Sequence, residues 1–230
     1  MNKPDFRYEK KAWRRGFKYV AGVDEVGRGA WAGPIVAGAV VFAPAPQIKN
    51  LKFKIENSEV KIDDSKRLRP REREKAALWI KENALAWDVT EISVSAINKV
   101  GIGKATAKAM RKTLHDIKGK PPIATLLHGY VANDLFVLVD GFHVKYLPGG
   151  LKHQQAIIHG DQKSISIAAA SIIAKVYRDK LMQRLSKKYP AYGWGKNKGY
   201  GTKFHQQAIV RSGVTVLHRK EFVKGILKDH

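Results

Sequence analysis

Apolar residues in this chain occur as short continuous runs, as alternating stretches and as helically spaced sets. Continuous runs of strand length predict buried strands, and alternation of apolar and polar residues predicts strands with one exposed face. We therefore predict strands over residues 17–26, 34–43, 88–95, 135–140 and 154–159. The first of them runs into a glycine-rich segment, and the fourth ends in a carboxylate.

Helical spacing appears in four other segments. The segment that begins at Pro70 carries Ala77, Ile80, Ala84 and Trp87 at helical intervals, and proline suits a first helical turn. Further helices are predicted over residues 104–117, 164–187 and 202–211, the last closed by Gly213. Strands and helices alternate only in part, which predicts an α/β fold with a mixed sheet and flanking helices. Prolines and mixed charge over residues 44–63 predict a connection.

Composition narrows the function classes. The 230 residues include no cysteine, which excludes disulfides, thiol nucleophiles and cysteine-ligated metals. No apolar run approaches the ~18 residues of a membrane span, and the N-terminus lacks the apolar core of a secretory signal. We therefore expect a cytoplasmic protein with no membrane partner.

The charge is strongly positive and uneven. There are 43 Lys and Arg against 20 Asp and Glu, a net charge of +23. Residues 175–230 hold fourteen Lys or Arg against three acids. Such an excess favours polyanionic partners, because each neutralised phosphate releases counterions. Nucleic acid is the leading partner class, and a basic protein without such a partner is the alternative.

Acidic residues in this basic protein lie at the predicted strand ends. Asp24 and Glu25 end the first strand, Asp140 ends the fourth, and Asp161 follows the fifth. Carboxylates at the ends of neighbouring strands converge in space, and they repel one another unless a cation lies between them. Oxygen ligands suit Mg²⁺ or Mn²⁺, the ions that assist phosphodiester hydrolysis.

Each acid also has a plainer interpretation. Asp161 precedes a predicted helix and could cap it. Asp64-Ser65-Lys66 could contact phosphate or cap the helix that begins at Pro70, and the residues alone favour capping. Asp24 and Glu25 are adjacent and would face opposite sides of a regular strand, so a shared site requires the strand to end or bulge there.

Two segments have the composition of a nucleic-acid contact. Gly27-Arg28-Gly29 lets the backbone approach a ligand closely, or it is a simple tight turn. Residues 196–203 interleave lysines, among them Lys198, with Tyr200, as in loops that contact a nucleic-acid strand, or they form a solvated loop with a packed tyrosine.

Several segments, taken together and in order, resemble type 2 ribonuclease H, the bacterial ribonuclease HII family. They are YVAGVDEVGRG over residues 19–29, DSKRL over 64–68, LVDG over 138–141, GDQKS over 160–164, AAASIIAKV over 168–176, and KGY and KFH over 198–205. The resemblance spans roughly residues 18–224. The basic leader and the long connection over 44–63 depart from the family pattern, and no sliding-clamp peptide is recognisable at the C-terminus.

The resemblance implies a ribonuclease H-like mixed five-stranded sheet with flanking helices and a small helical C-terminal region. We divide the chain into a basic leader over residues 1–17, a catalytic core over 18–190 and a basic substrate-binding region over 191–230, packed on the core. The implied reaction is hydrolysis of the RNA strand of RNA–DNA hybrids, and cutting 5′ of single ribonucleotides in duplex DNA, as in ribonucleotide excision repair and DNA replication. The products carry 5′-phosphate and 3′-hydroxyl ends.

The same resemblance assigns residues. Asp24, Glu25, Asp140 and Asp161 would be catalytic and would hold two Mg²⁺ or Mn²⁺ ions. The substrate-binding residues would be Gly27, Arg28, Gly29, Ser65, Lys66, Lys198 and Tyr200. We expect a monomer. The alternatives are a type 3 ribonuclease H and a non-catalytic nucleic-acid-binding protein.

Overall fold

The computed structural model describes residues 3–42, 60–118, 134–147 and 149–226. Most of the predicted 44–63 connection, the extreme C-terminus and the first two residues of the basic leader lie outside these ranges. The helices are α1 (Arg7–Arg14), α2 (Pro70–Asn83), α3 (Val94–Val100), α4 (Ile102–Lys118), α5 (Ile165–Lys188), α6 (Trp194–Asn197), α7 (Lys203–Ser212) and α8 (Lys220–Val223). The strands are β1 (Tyr19–Val26), β2 (Ile35–Phe42), β3 (Ala86–Ile92), β4 (Leu135–Asp140) and β5 (Gln154–Ile157).

The described strands form a mixed five-stranded sheet in the order β3-β2-β1-β4-β5. Strands β1, β2 and β3 pair antiparallel, whereas β4 is parallel to both β1 and β5. This arrangement confirms the predicted fold class. It places β1 at the centre of the sheet, with the carboxyl ends of β1, β4 and β5 at one edge.

Two layers of helices cover the sheet. Apolar residues of α4, among them Met110 and Leu114, pack on the face that carries Val23 and Val139. Helices α2 and α5 pack on the other face, where α5 contributes a run of buried alanines and isoleucines. A separate apolar cluster around Trp194 joins α6, α7 and α8 to the end of α5. None of the described helices is both long and apolar enough to cross a membrane.

Most predicted elements are confirmed, and the differences have local causes. Strand β3 is Ala86–Ile92, not 88–95, because the Ser93 side chain accepts a hydrogen bond from the Ala96 N–H and begins α3. Strand β5 ends at Ile157 rather than at residue 159, and His159 has a left-handed backbone with φ of 55°. Trp87 lies in β3 rather than in the helix that begins at Pro70.

Candidate active site

Two of the predicted carboxylates lie side by side on the central strands. The last parallel pair between β1 and β4 joins Val23 to Val139, so Asp24 and Asp140 follow at neighbouring positions. Side chains alternate along each strand, and those of Val23 and Val139 face α4. Asp24 and Asp140 therefore face α5. The Asp140 Oδ1 accepts a hydrogen bond of 2.6 Å from the Gly160 N–H, which fixes that carboxylate.

Glu25 lies next to Asp24 in a strand that does not bulge. The antiparallel register with β2 runs through Asp24 and Glu25 without an inserted residue, so the expected bulge is absent from this pairing. The β4 side differs, since its pairing ends at Val23. Because side chains alternate along β1, Glu25 points away from α5. On that side, the Nη1 of Arg28 lies 3.7 Å from the Oε1 of Glu25. Glu25 is nevertheless close enough to Asp140 for that charge to raise its pKa.

Asp161 joins the same region from the segment before α5. Its side chain is buried, and Lys66 Nζ lies 3.4 Å from its Oδ2. The alternative that Asp161 caps α5 is wrong, because Ser164 is the N-cap and its hydroxyl accepts the Ile167 N–H.

Asp64 also belongs to this region, although the sequence favoured a capping role for it. Helix α2 begins at Pro70, and Glu72 rather than Asp64 accepts the Arg69 N–H at its start. Asp64 is buried, and its two oxygens accept hydrogen bonds from the Lys66 N–H and the Gln162 side-chain amide. Its charge raises the pKa of Asp161.

Mutual repulsion marks these carboxylates as one electrostatic group. Burial raises the pKa of Asp24 well above its usual range, and the charges of Asp140, Glu25 and Asp161 raise it further. Burial and the charge of Asp140 likewise raise the pKa of Asp161. The Ser171 hydroxyl and the Glu25 N–H, which donates to Asp24 Oδ1 at 2.7 Å, favour the charged form of Asp24 by hydrogen bonding. A cation among these groups would relieve both effects.

The donor set fits a hard divalent cation. All of the candidate ligands are carboxylate oxygens, which Mg²⁺ and Mn²⁺ prefer. In the ranges that the structure describes, however, no three acidic or histidine side chains converge closely enough to enclose one ion.

The Gly27-Arg28-Gly29 segment is held from beneath by a buried arginine. Arg219 Nη1 donates hydrogen bonds of 2.7 and 2.9 Å to the carbonyl oxygens of Gly27 and Arg28. Gly27 has φ of 92°, and a Cβ there would lie 2.1 Å from the Nε of Arg178. Gly29 has open space around it. The segment is therefore more than a simple turn: it is a fixed backbone surface with an open side.

A second buried arginine supports the tyrosine loop. Arg178 donates hydrogen bonds to the carbonyl oxygens of Ala32, Pro34 and Lys198. Its guanidinium carbon lies 5.5 Å from the centre of the Tyr200 ring, which is 37% exposed. The interpretation of Tyr200 as a packed core residue is wrong. One face of the ring is supported, and the ring remains accessible to a ligand.

The other predicted substrate-binding residues have different surroundings. The Ser65 hydroxyl is buried and lies 3.0 Å from that of Ser171, the residue that hydrogen-bonds to Asp24. Lys66 has a side chain that is 78% exposed beside Asp161. Lys198 folds back onto the Gly195 carbonyl. Ser65 and Lys66 thus adjoin the carboxylates, whereas Lys198 belongs to the tyrosine loop.

Sequence reasoning missed three residues that build this region: Asp64, Arg178 and Arg219. Asp64 lies in the DSKRL segment that resembles the family. Its burial beside Asp161 distinguishes a role in the site from a role as a helix cap, and the sequence does not show that burial. Arg178, with Asp179, is part of the segment that resembles the family but receives no role from it, and Arg219 resembles the many other basic residues of the C-terminal region. Both are fully buried, and nothing in the one-dimensional pattern indicates it.

Structural comparison first defines the class. The ribonuclease H2 from Pyrococcus horikoshii OT3 superimposes with a TM-score of 0.68 at 24% identity, over 92% of this chain and 98% of that one. Bst-RNase HIII, solved in complex with Mn²⁺, superimposes with a TM-score of 0.64 at 20% identity, over 92% and 70% of the two chains. The fold is therefore that of the ribonuclease H-like proteins.

Sequence comparison then gives the family. The ribonuclease HII of Thermosynechococcus vestitus is 40% identical over 224 residues, 96% of this chain and 91% of that protein. The ribonuclease HII of Caldanaerobacter subterraneus is 39% identical over 221 residues, 96% of this chain and 80% of that protein. The Ribonuclease HII family model matches residues 21–225, and the chain belongs to that family. It is a type 2 ribonuclease H, a hydrolase with endonuclease activity on RNA–DNA hybrids.

Proposed function

We propose that this enzyme cuts the RNA strand of hybrids and also cuts 5′ of single ribonucleotides embedded in duplex DNA, leaving 5′-phosphate and 3′-hydroxyl ends. The proposal assigns catalysis to Asp24, Glu25, Asp140 and Asp161, with two Mg²⁺ or Mn²⁺ ions. The observation that carries it is the convergence of these carboxylates beside the carboxyl ends of β1 and β4, where burial and the charges of neighbouring acids raise the pKa of Asp24, Glu25 and Asp161.

The metal part of the proposal rests on charge and donor chemistry. Asp24 is buried with like charges around it, an arrangement that a divalent cation would stabilise. A structural neighbour of the same fold was solved with Mn²⁺. When bound, the ions would lower the pKa of water and stabilise charge on the leaving oxygen. The carboxylates hold the ions, and Lys66 adds a positive charge beside Asp161 for the substrate phosphate.

Recognition of a ribonucleotide depends on its 2′-hydroxyl, which both donates and accepts hydrogen bonds. We assign this contact to the backbone of Gly27, Arg28 and Gly29, because Arg219 holds that segment and Gly29 leaves it open. Tyr200 would pack against the adjacent sugar with the ring face that Arg178 does not cover. Lys198 would contact a phosphate near the same loop.

The proposal extends to the physical state of the enzyme. We propose a monomer as the active form. A cellular nucleic-acid substrate supports a cytoplasmic location. Light scattering of the purified protein, alone and with a hybrid duplex, tests the monomer. A stable dimer with higher specific activity would contradict it.

Cleavage of a duplex with one embedded ribonucleotide tests the function. We expect activity with Mg²⁺ and with Mn²⁺, and none with chelator. Asp24→Asn and Asp140→Asn should each lower kcat by at least about 1000-fold while the Kd for the duplex in chelator changes little.

The matched control is Asp116→Asn, an exposed acid on α4 that pairs with Lys112. It should retain wild-type turnover. Turnover near the wild-type value in Asp24→Asn or Asp140→Asn would remove that residue from the site. Cleavage of long hybrids without cleavage at the single ribonucleotide would restrict the substrate to hybrids.

A further inference from the structure

The N-terminal leader contains a fully buried carboxylate that the sequence does not single out. Glu9 lies on α1 with 0% exposure. Its Oε1 accepts a hydrogen bond of 2.6 Å from the Ser164 hydroxyl and one of 2.9 Å from the Ser166 N–H. Glu9 therefore binds the first turn of α5, where backbone N–H groups lack helical partners.

The backbone of the leader reinforces this contact. The Asp5 N–H donates to the Lys163 carbonyl at 3.3 Å, and the Ile165 N–H donates to the Asp5 carbonyl at 3.2 Å. Asp5 and Ser164 thus form a parallel bridge. The leader is attached by main chain and by side chain to the segment that separates Asp161 from α5.

The same turn of α5 is wedged against the central strand. A Cβ on Gly22 would lie 2.1 Å from the Ser166 carbonyl carbon, so β1 and α5 touch through backbone at this point. Gly22 precedes Asp24 by two residues, and Asp161 precedes Ser164 by three. A shift of the first turn of α5 would therefore change the distance between Asp161 and Asp24.

We infer that Glu9 is a positioning residue for the active site: it holds the start of α5 so that Asp161 stays in register with Asp24 and Asp140. This inference rests on the proposed metal-dependent function. A residue that only stabilises the fold would lower the Tm when replaced and leave the chemistry of the folded enzyme unchanged. A positioning residue also changes the affinity of the carboxylates for metal.

Glu9→Ala is the direct test, assayed well below its Tm. We expect kcat to fall about tenfold or more, and the Mg²⁺ concentration for half-maximal activity to rise severalfold, with KM for the hybrid within about twofold. Mn²⁺ binding without substrate, measured by electron paramagnetic resonance, should weaken in parallel. Glu9→Gln keeps an acceptor oxygen and should restore most of both quantities.

Ser93→Ala is the matched control, because it removes a helix cap of the same kind at α3. It should lower the Tm without changing kcat or metal affinity. If Glu9→Ala does not fold, Ser164→Ala replaces it as the test. This variant removes both the hydrogen bond to Glu9 and the N-cap of α5, and Ser93→Ala measures the effect of losing a cap alone.

The inference would be overturned if folded Glu9→Ala kept kcat and metal affinity within twofold of wild type. If Glu9→Ala does not fold, the same result for Ser164→Ala would overturn it. A wild-type enzyme that needs no metal would contradict the proposed function instead, so the two failures are distinguishable.

Discussion

At the scale of single residues, Asp24 carries a charge that its surroundings disfavour. Burial and the neighbouring acids raise its pKa. In the absence of metal, the ionised form of Asp24 therefore lowers the free energy of unfolding at pH values above the ordinary pKa of an aspartate. Asp116, by contrast, is exposed, and its hydrogen bond to Lys112 lowers its pKa. We therefore expect the substitution of asparagine for aspartate to have opposite effects on stability at these two positions.

Asp24→Asn should raise the Tm in chelator at pH 8, and the gain should shrink at lower pH, because the raised pKa lets wild-type Asp24 take up a proton more readily than an ordinary aspartate. Asp116→Asn should leave the Tm unchanged or lower it slightly at each pH. Differential scanning fluorimetry in chelator measures both. A lower Tm for Asp24→Asn at pH 8 would contradict this prediction. It would mean that neighbouring protein groups stabilise the charge of Asp24 without metal.

Tyr200 presents a supported ring, which separates the role of the ring from that of the hydroxyl. Tyr200→Phe should retain most activity, and Tyr200→Ala should lose about tenfold or more on a single embedded ribonucleotide, since a stacked ring contributes about 1–3 kcal/mol. The loss on a long hybrid should be smaller, because neighbouring 2′-hydroxyls compensate. Steady-state kinetics on the two substrates measure this, and equal losses would make Tyr200 a support for its loop only.

At the scale of elements, the contact between β1 and α5 depends on a glycine. Gly22→Ala should destabilise the protein by about 3 kcal/mol, the upper part of the range for overpacking, because the added Cβ meets the Ser166 backbone rather than a movable side chain. Gly103 in α4 has nothing within 4 Å of a built Cβ, so Gly103→Ala should stabilise by roughly 0.5–1 kcal/mol. Urea unfolding measures the free energy of unfolding of both variants. A Gly22→Ala protein as stable as wild type would show that α5 can move away from β1.

The C-terminal elements are joined by two buried histidines. Trp194 Nε1 donates to His205 Nε2 at 3.1 Å, and the Thr215 N–H donates to His218 Nδ1 at 2.8 Å. These bonds assign the His218 proton to Nε2, which lies 3.2 Å from His205 Nε2 and donates to it. The network is complete only when both rings are neutral. Burial, and the neighbouring His205, lower the pKa of His218 to about 4.

This lowered pKa predicts a loss of stability in acid. The unfolded chain binds more protons than the folded one between pH 6.5 and about 4, so the free energy of unfolding falls as the pH falls through that window. The loss from this group should be about 2 kcal/mol between pH 7 and pH 5. His218→Gln should lose correspondingly less. Urea unfolding of both proteins at the two pH values isolates the histidine, because the carboxyl groups contribute equally to each.

At the scale of the whole molecule, the positive charge predicts binding that weakens steeply with salt. Each phosphate contact contributes about −0.9 to the logarithmic salt slope on B-DNA. Replacing Lys187, Lys188, Lys196 and Lys198 by Ala, at the end of α5 and beyond it, should flatten the slope. Lys104→Ala with Lys108→Ala on α4 should not, since α4 covers the other face of the sheet. Fluorescence anisotropy at several salt concentrations measures this, and an unchanged slope would place the phosphate contacts elsewhere.

Hydrophobic periodicity predicted the strands and the long helices, because both are local properties of the chain, and their partial alternation predicted the mixed sheet. It missed α1, α3, α6 and α8, which are four to eight residues long and therefore show too few helical repeats. The four strand-end carboxylates and the glycine and tyrosine loops were likewise readable as motifs. Their assignment to one site remains a proposal, whereas the family and its activity are established by comparison.

The sequence by itself determined that Asp24, Glu25 and Asp140 lie at the ends of strands, that Asp161 lies between the last strand and a helix, and that the chain is basic. Only the tertiary structure decided which polar residues are buried, because burial depends on packing between segments far apart in sequence. It placed Glu9 under the first turn of α5, 155 residues from its partner Ser164. Arg219 holds Gly27 across 192 residues for the same reason. A local pattern carries no information about such pairs, since their energy comes from desolvation and hydrogen bonding that exist only after the chain has folded.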